Sequence, residues 1–361
     1  MEREYEEILE EQLKNLDLTS LDKLMGIGNQ LGLPDYSLVT MIKNMIDGEP
    51  LFNIEDVVYG LKDIFFSEIH SSFTLGVQIL IICIIMGMLQ NLTNSYGENT
   101  VSQIGAMICN CTVVALCLVN ITDVYSLSGN TINQMAGVIQ MLLPIMIPLL
   151  IAMGGPTTGA LLSPVILAVI GLFGTIIQKI IMPCLFLACA FLLVNSLTRR
   201  DYVKKLALLM RNGAIFVVGL AVTLFSGLTA LQGLGAKMAD GILIKTARFS
   251  LDNFIPIIGG FASDSVEMVL SCAAIIKNAI GIVGLLAILS LLLIPLLKLM
   301  AIALIYKVAA VLIEPIGNQI ISDCLNEVGN TVIIMGVVVL LSAILFLIFL
   351  TILISMGTAP W

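Results

Sequence analysis

Apolar positions in this chain follow two regimes. Up to about residue 70 they recur at helical spacing among acidic side chains, and from Phe73 onward they run together in nearly uncharged stretches. In the first regime Tyr5, Ile8, Leu9, Leu13 and Leu16 form one stripe, the signature of an amphipathic helix. Thr19 with Asp22 three residues on reads as a capping box for a second short helix. Pro34 opens a third, with Leu38, Met41, Ile42, Met45 and Ile46 on one side, and Gly48-Glu49-Pro50 ends it. A fourth over Asn53–Ile69 presents Ile54, Val57, Leu61, Ile64 and Phe65. Residues 1–70 thus read as a small helical domain whose stripes pack on one another by default, with the membrane surface or a partner as the alternatives.

The second regime supplies membrane spans, each needing about 20 apolar residues. Nine are predicted, within a range of seven to ten: Phe73–Leu89, Val101–Ile121, Ala136–Met153, Thr157–Ile177, Ile180–Leu197, Gly213–Leu231, Gly281–Leu297, Leu299–Leu312 and Thr331–Ser355. Two pairs are closely spaced. Gln178-Lys179 alone separates one and Lys298 the other, so the alternative for each pair is one long helix bent at Pro183 or Pro295. Residues 233–280 are too polar to span and too apolar for a solvated loop. Leu243, Ile244, Phe249 and Phe254 alternate there with Lys245, Arg248 and Asp252, the pattern of an interfacial or re-entrant element. The fold class is therefore all-α: a polytopic helical membrane protein. Its divisions are an acidic helical domain (1–70), a first helix group (71–232), the interfacial element (233–280) and a last helix group (281–361).

Composition agrees. Hydrophobic residues make up 58% of the 361 and charged residues only 12%, about half the charge density of a soluble domain. Charge is also unevenly placed: residues 1–70 hold 15 of the 25 acids and 5 of the 17 bases. An acidic head of this kind disfavours nucleic acid and anionic headgroups as partners. The opposite sign gathers in one connector, Asn195–Gly213, which holds Arg199, Arg200, Lys204, Lys205 and Arg211 against the single acid Asp201. Clustered Lys/Arg stays on the cytoplasmic side, so these five residues anchor the topology. Counting nine spans from there places the N-terminus and the segments 123–134, 233–267 and 314–330 outside, and the C-terminus in the cytoplasm. An external head implies that a native leader has been removed.

The chemistry-bearing residues are few. Lys277, Lys298 and Lys307 lie in or beside the last apolar helices, with Asn278 next to the first and Glu314 seven residues beyond the last. A lysine at bilayer centre costs about 3 kcal/mol on insertion scales, so each needs a partner or an exit. These five are candidates for a polar pathway or for helix contacts, against the plainer reading of snorkelling from helix ends. The eight cysteines lie mostly in apolar runs without a CxxC and read as small apolar fillers. His70 is the only histidine, and no Walker A, GxGxxG, HExxH or GxSxG motif occurs in a usable context. No enzyme activity, cofactor or metal site is expected.

Six blocks carry a resemblance: the acidic helical head, QMLLPIMIPLLIAMGG at Gln140–Gly155, SGLTALQ at Ser226–Gln232, KTARFSLDNFIPIIGG at Lys245–Gly260, IIKNAIG at Ile275–Gly281 and PLLK at Pro295–Lys298. They resemble the stage III sporulation protein AE family of endospore-forming bacteria. That resemblance implies a non-enzymatic polytopic component of the channel complex linking mother cell and forespore, supporting the forespore after engulfment. It implies the mother-cell membrane around the forespore as its place. It also implies other membrane and ring-forming subunits as partners, with a secretion-type ATPase acting indirectly. The family supplies no catalytic residues to carry over. A stand-alone solute transporter with a polar path near Lys277, Lys298 and Lys307 is the alternative.

Overall fold

The computed structural model describes residues 100–153, 168–197, 202–254, 259–316 and 319–355, with separate helical positions between 59 and 88. The acidic head, including its four expected helices, lies outside the described residues apart from those few positions. The described chain is helical throughout, in five long apolar helices: α1 Thr100–Ala152, α2 Ala168–Asn195, α3 Lys204–Phe254, α4 Gly259–Ile313 and α5 Gln319–Ser355. Each contains a stretch long and apolar enough to cross a membrane.

Three expected divisions give way to continuous helices. Val101–Ile121 and Ala136–Met153 are one helix, α1, because the polar stretch between them keeps helical periodicity. Val124, Ser128, Thr131, Ile132 and Met135 are buried, while Asp123, Ser126, Asn130 and Gln134 face out. Residues 123–134 are therefore mid-helix and not an external loop. Gln178-Lys179 does not interrupt α2 either. A π-helical turn at Ile177–Ile181 absorbs the site, and the Met182 N–H reaches back to the Ile177 carbonyl. Pro183 explains the widened turn, since its ring lacks an N–H and crowds the preceding carbonyl. Lys298 lies inside α4, which also accommodates Pro295; a lone lysine is a good helix former and ends nothing.

Antiparallel packing sets the register. A Cβ on Gly281 of α4 would meet Ile354 of α5, Gly284 lies against Leu350, Gly336 faces Leu296 and Leu299, and Gly329 faces Ala303, Tyr306 and Lys307. α1 and α4 run antiparallel too, through Leu142 beside Gly284 and Asn120 beside Tyr306. α2 opposes α1 through Tyr125–Phe186, and it opposes α5 through Phe173–Phe346. Helices α1, α3 and α5 therefore start at the end that carries the basic connector, and α2 and α4 return to it.

α5 touches all four other helices. They follow the order α4, α1, α2, α3 around it, and α3 and α4 meet at most marginally among the described residues. Among the described residues, the four neighbours leave one face of α5 exposed, a stripe through Asp323, Asn326, Val337, Ile344 and Ile348. Residues 233–280 are divided between the second half of α3 and the first part of α4. Since Gly281 is level with Ile354, α4 begins 22 residues before the level at which α5 ends, an overhang of about 33 Å at 1.5 Å per residue.

The close approaches yield a contrast. At Gly284 an added Cβ lies 2.3 Å from Leu142 Cδ1, whereas Gly137 has nothing within 4 Å. Gly284→Leu is expected to lower stability by about 1–3 kcal/mol, and Gly137→Leu by less than about 0.5 kcal/mol. Unfolding of the detergent-solubilised variants measures the difference.

Candidate functional site

Near the basic end the bundle contains a layer of polar contacts between helices. Arg211 Nη1 of α3 donates to Glu327 Oε2 of α5 at 2.5 Å, with side chains 14% and 25% exposed. Lys307 Nζ of α4 donates to Asn330 Oδ1 at 2.8 Å and Asn326 Oδ1 at 3.3 Å, both on α5. One residue back, the fully buried Tyr306 hydroxyl donates to Asn120 Oδ1 of α1 at 3.0 Å. Cys117 of α1, Cys189 of α2 and Cys324 of α5 lie close by. The Cys324 thiol approaches the Leu192 carbonyl of α2 at 3.6 Å. All five helices contribute to this layer. Such contacts matter because lipid gives apolar helix faces little reason to prefer each other, so shape and polar pairs select the partner.

Further contacts tie the connector end together. Asn110 Nδ2 donates to the Ser196 carbonyl at 3.1 Å, the Val203 N–H to Asn195 Oδ1 at 3.2 Å, and Ser322 Oγ to the Ala310 carbonyl at 2.8 Å. Away from that end, Gln178 of the π turn donates to Asn133 of α1.

The candidates from sequence do not form one group. Lys307 enters the layer, but its partners are two asparagines. Glu314 is exposed in a one-turn 3-10 helix at Glu314–Ile316. Lys298 is half-buried nine residues back on α4. Lys277 is fully buried 30 residues before Lys307, about 45 Å along the helix. Its neighbour Asn278 has a buried Oδ1 without a hydrogen bond among the described residues. Of the connector residues, Arg211 joins the layer, Lys204 and Lys205 open α3, and Arg199 and Arg200 lie outside the described residues.

The Arg211–Glu327 pair corrects one expected placement. The segment 314–330 lies at the same end as the basic connector and not opposite it, because joining α4 across Lys298 removes one crossing. Asn120, Asn326, Asn330 and Glu327 were not picked out from sequence. The signal available was their type: amides and a carboxylate within long apolar helices, where each needs a partner.

Residues 36–357 match the family model described as Stage III sporulation protein AE. The chain belongs to the stage III sporulation protein AE family. It is 30% identical over 354 residues to Stage III sporulation protein AE of Bacillus subtilis (strain 168), an alignment covering 96% of this chain and 89% of that protein. No solved structure matches the chain. A family named for sporulation, together with five helices fit to cross a bilayer, makes this a sporulation-related multi-pass membrane protein.

The ion pair gives a prediction. Glu327→Gln leaves the Arg211 guanidinium largely buried without its carboxylate and is expected to cost about 1–3 kcal/mol. Replacing both partners, Arg211→Met with Glu327→Leu, recovers most of the loss, since a buried pair exchanged for apolar groups is close to neutral. Thermal unfolding in detergent of the single and double variants reads both effects.

Proposed function

We propose that this protein is a non-enzymatic membrane component of the stage III sporulation channel complex, seated in the mother-cell membrane around the forespore. Membership of the family over residues 36–357 carries the reading. The layer of polar contacts supports it: Arg211 with Glu327, Lys307 with Asn326 and Asn330, and Tyr306 with Asn120 bond across helices, as parts of a scaffold do. Ring-forming and other membrane subunits, with an ATPase acting indirectly, are its partners in this reading.

With the basic connector in the cytoplasm, the run Phe73–Leu89, α1 and α2 are three crossings before it, so the acidic head lies outside. α3, α4 and α5 are three crossings after it. The C-terminus then lies outside as well, in place of the cytoplasmic position that a nine-span count gives. The head and the overhang of α4 face the space between the two membranes, where ring subunits are available to dock.

Two measurements test this. A single cysteine at position 204 is expected to react with an impermeant maleimide only from the cytoplasmic side, and cysteines at positions 10 and 358 only from the other side. Reaction of position 10 from the cytoplasm overturns the orientation. The purified protein is expected to bring down other sporulation membrane subunits and to move no solute in liposomes. Transport by the protein alone that Lys307→Ala stops would establish the transporter instead.

A further inference from the structure

Around the bundle at one depth, the outer surface changes character. Arg211 beside Glu327, Lys307 beside Asn326 and Asn330, and Tyr306 beside Asn120 fix a common level. Moving from there away from the connector, α3 exposes Ile215, Phe216, Leu220 and Leu224, a surface suited to lipid. Over the same rise α1 exposes Asp123, Ser126, Asn130 and Gln134. None of these four has a side-chain partner among the described residues. A carboxylate and two amides facing hydrocarbon each cost kilocalories, and side chains of this kind face protein or water when they lie at membrane depth.

Two of these groups are complementary. Asp123 is a carboxylate with no cation among the described residues, and Lys307 is a cation whose described partners are two neutral amide oxygens. They sit on different faces: Asp123 on the outside of α1, and Lys307 at the open side of α5 between α3 and α4. Their depths nearly coincide. Asp123 is three residues beyond Asn120 and Lys307 one residue from Tyr306 in the opposite sense, a separation of about 6 Å at 1.5 Å per residue. A lysine side chain spans that distance. The chain's own remaining apolar run, 71–90, contains no charged residue and so offers neither group a counter-charge.

We propose that copies of this chain pack side by side in the membrane, the Asp123 face of α1 from one copy covering the α5 stripe of the next and pairing with its Lys307. The contact joins two different surfaces, so each copy offers both and the association continues from copy to copy, closing into a ring if the rotation allows. Within the proposed complex this supplies a partner of known chemistry, a second copy, and it rests on the reading of the chain as a membrane component.

The test uses the full chain carrying two different tags, co-expressed and purified in nanodiscs. The parent chain is expected to show tag-to-tag capture. Asp123→Lys and Lys307→Asp should each reduce capture at least about tenfold, as loss of a buried interface ion pair does. Both changes in one chain should restore it, a rescue that misfolding of a single variant cannot imitate. In a second measurement, Asp123→Cys in one copy and Lys307→Cys in the other should give a cross-linked dimer with a short bismaleimide, with the parent pair as blank. No self-capture by the parent, no loss in the single variants, no rescue, or no cross-link overturns the proposal. Co-purification of other sporulation subunits, scored in the same preparations, reports on complex membership separately.

Discussion

Contact between α4 and α5 is the constraint on which the rest of the bundle depends. In lipid the apolar surfaces of two helices gain little by leaving their surroundings, so association relies on close fit and polar pairing. The α4–α5 seam supplies both. Gly281, Gly284, Gly329 and Gly336 let the backbones approach, and Ala303 and Ala310 keep the opposing surface low. Lys307 with its two asparagines and Ser322 with the Ala310 carbonyl then fix the register. A slip by one turn would set Gly281 and Gly284 against different side chains and strand the Lys307 amine.

Once α5 is seated, the other helices can only be placed in a few ways. Arg211 attaches the start of α3 to α5, and Phe173 packs edge-on against both Phe346 of α5 and Phe225 of α3. Tyr306 carries the seam's register on to α1 through Asn120. The π turn in α2 belongs to the same logic. Pro183 forces a local widening, and the widened turn presents Gln178 to Asn133 of α1. A defect in one helix thereby becomes a contact between two.

Much of this was legible in the sequence, for a physical reason. Long uncharged runs and a concentrated basic connector are properties of composition along the chain, and they report helix, membrane and side without tertiary knowledge. Whether neighbouring runs join is a different question. Gln178-Lys179, Lys298 and 123–134 all look like interruptions in a hydropathy count, yet the first two are good helix formers and 123–134 keeps helical periodicity through Ser128-Gly129-Asn130. What decides is whether the polar side chains find a face: Gln178 finds Asn133, whereas Asp123 and Asn130 turn outward. Lys307 was identifiable as a residue in need of a partner, but Asn326 and Asn330 lie 19 and 23 residues away on another helix. Only the register of α4 against α5 brings them together.

Placing 314–330 beside the basic connector raises an apparent conflict, because Glu314, Asp323 and Glu327 then share an end with Lys204, Lys205 and Arg211. The conflict dissolves on the physics of insertion. Side is set by Lys and Arg in short connectors, and Asp and Glu contribute little, so the acids neither oppose nor support the assignment. What they change is energetic. Glu327 neutralises Arg211, a connector cation that the bundle partly buries, which can then sit between α3 and α5 instead of snorkelling away from them. Glu327, two turns into α5, is therefore a condition for the close packing of α3, whose membrane-length stretch is the least buried of the five among the described residues.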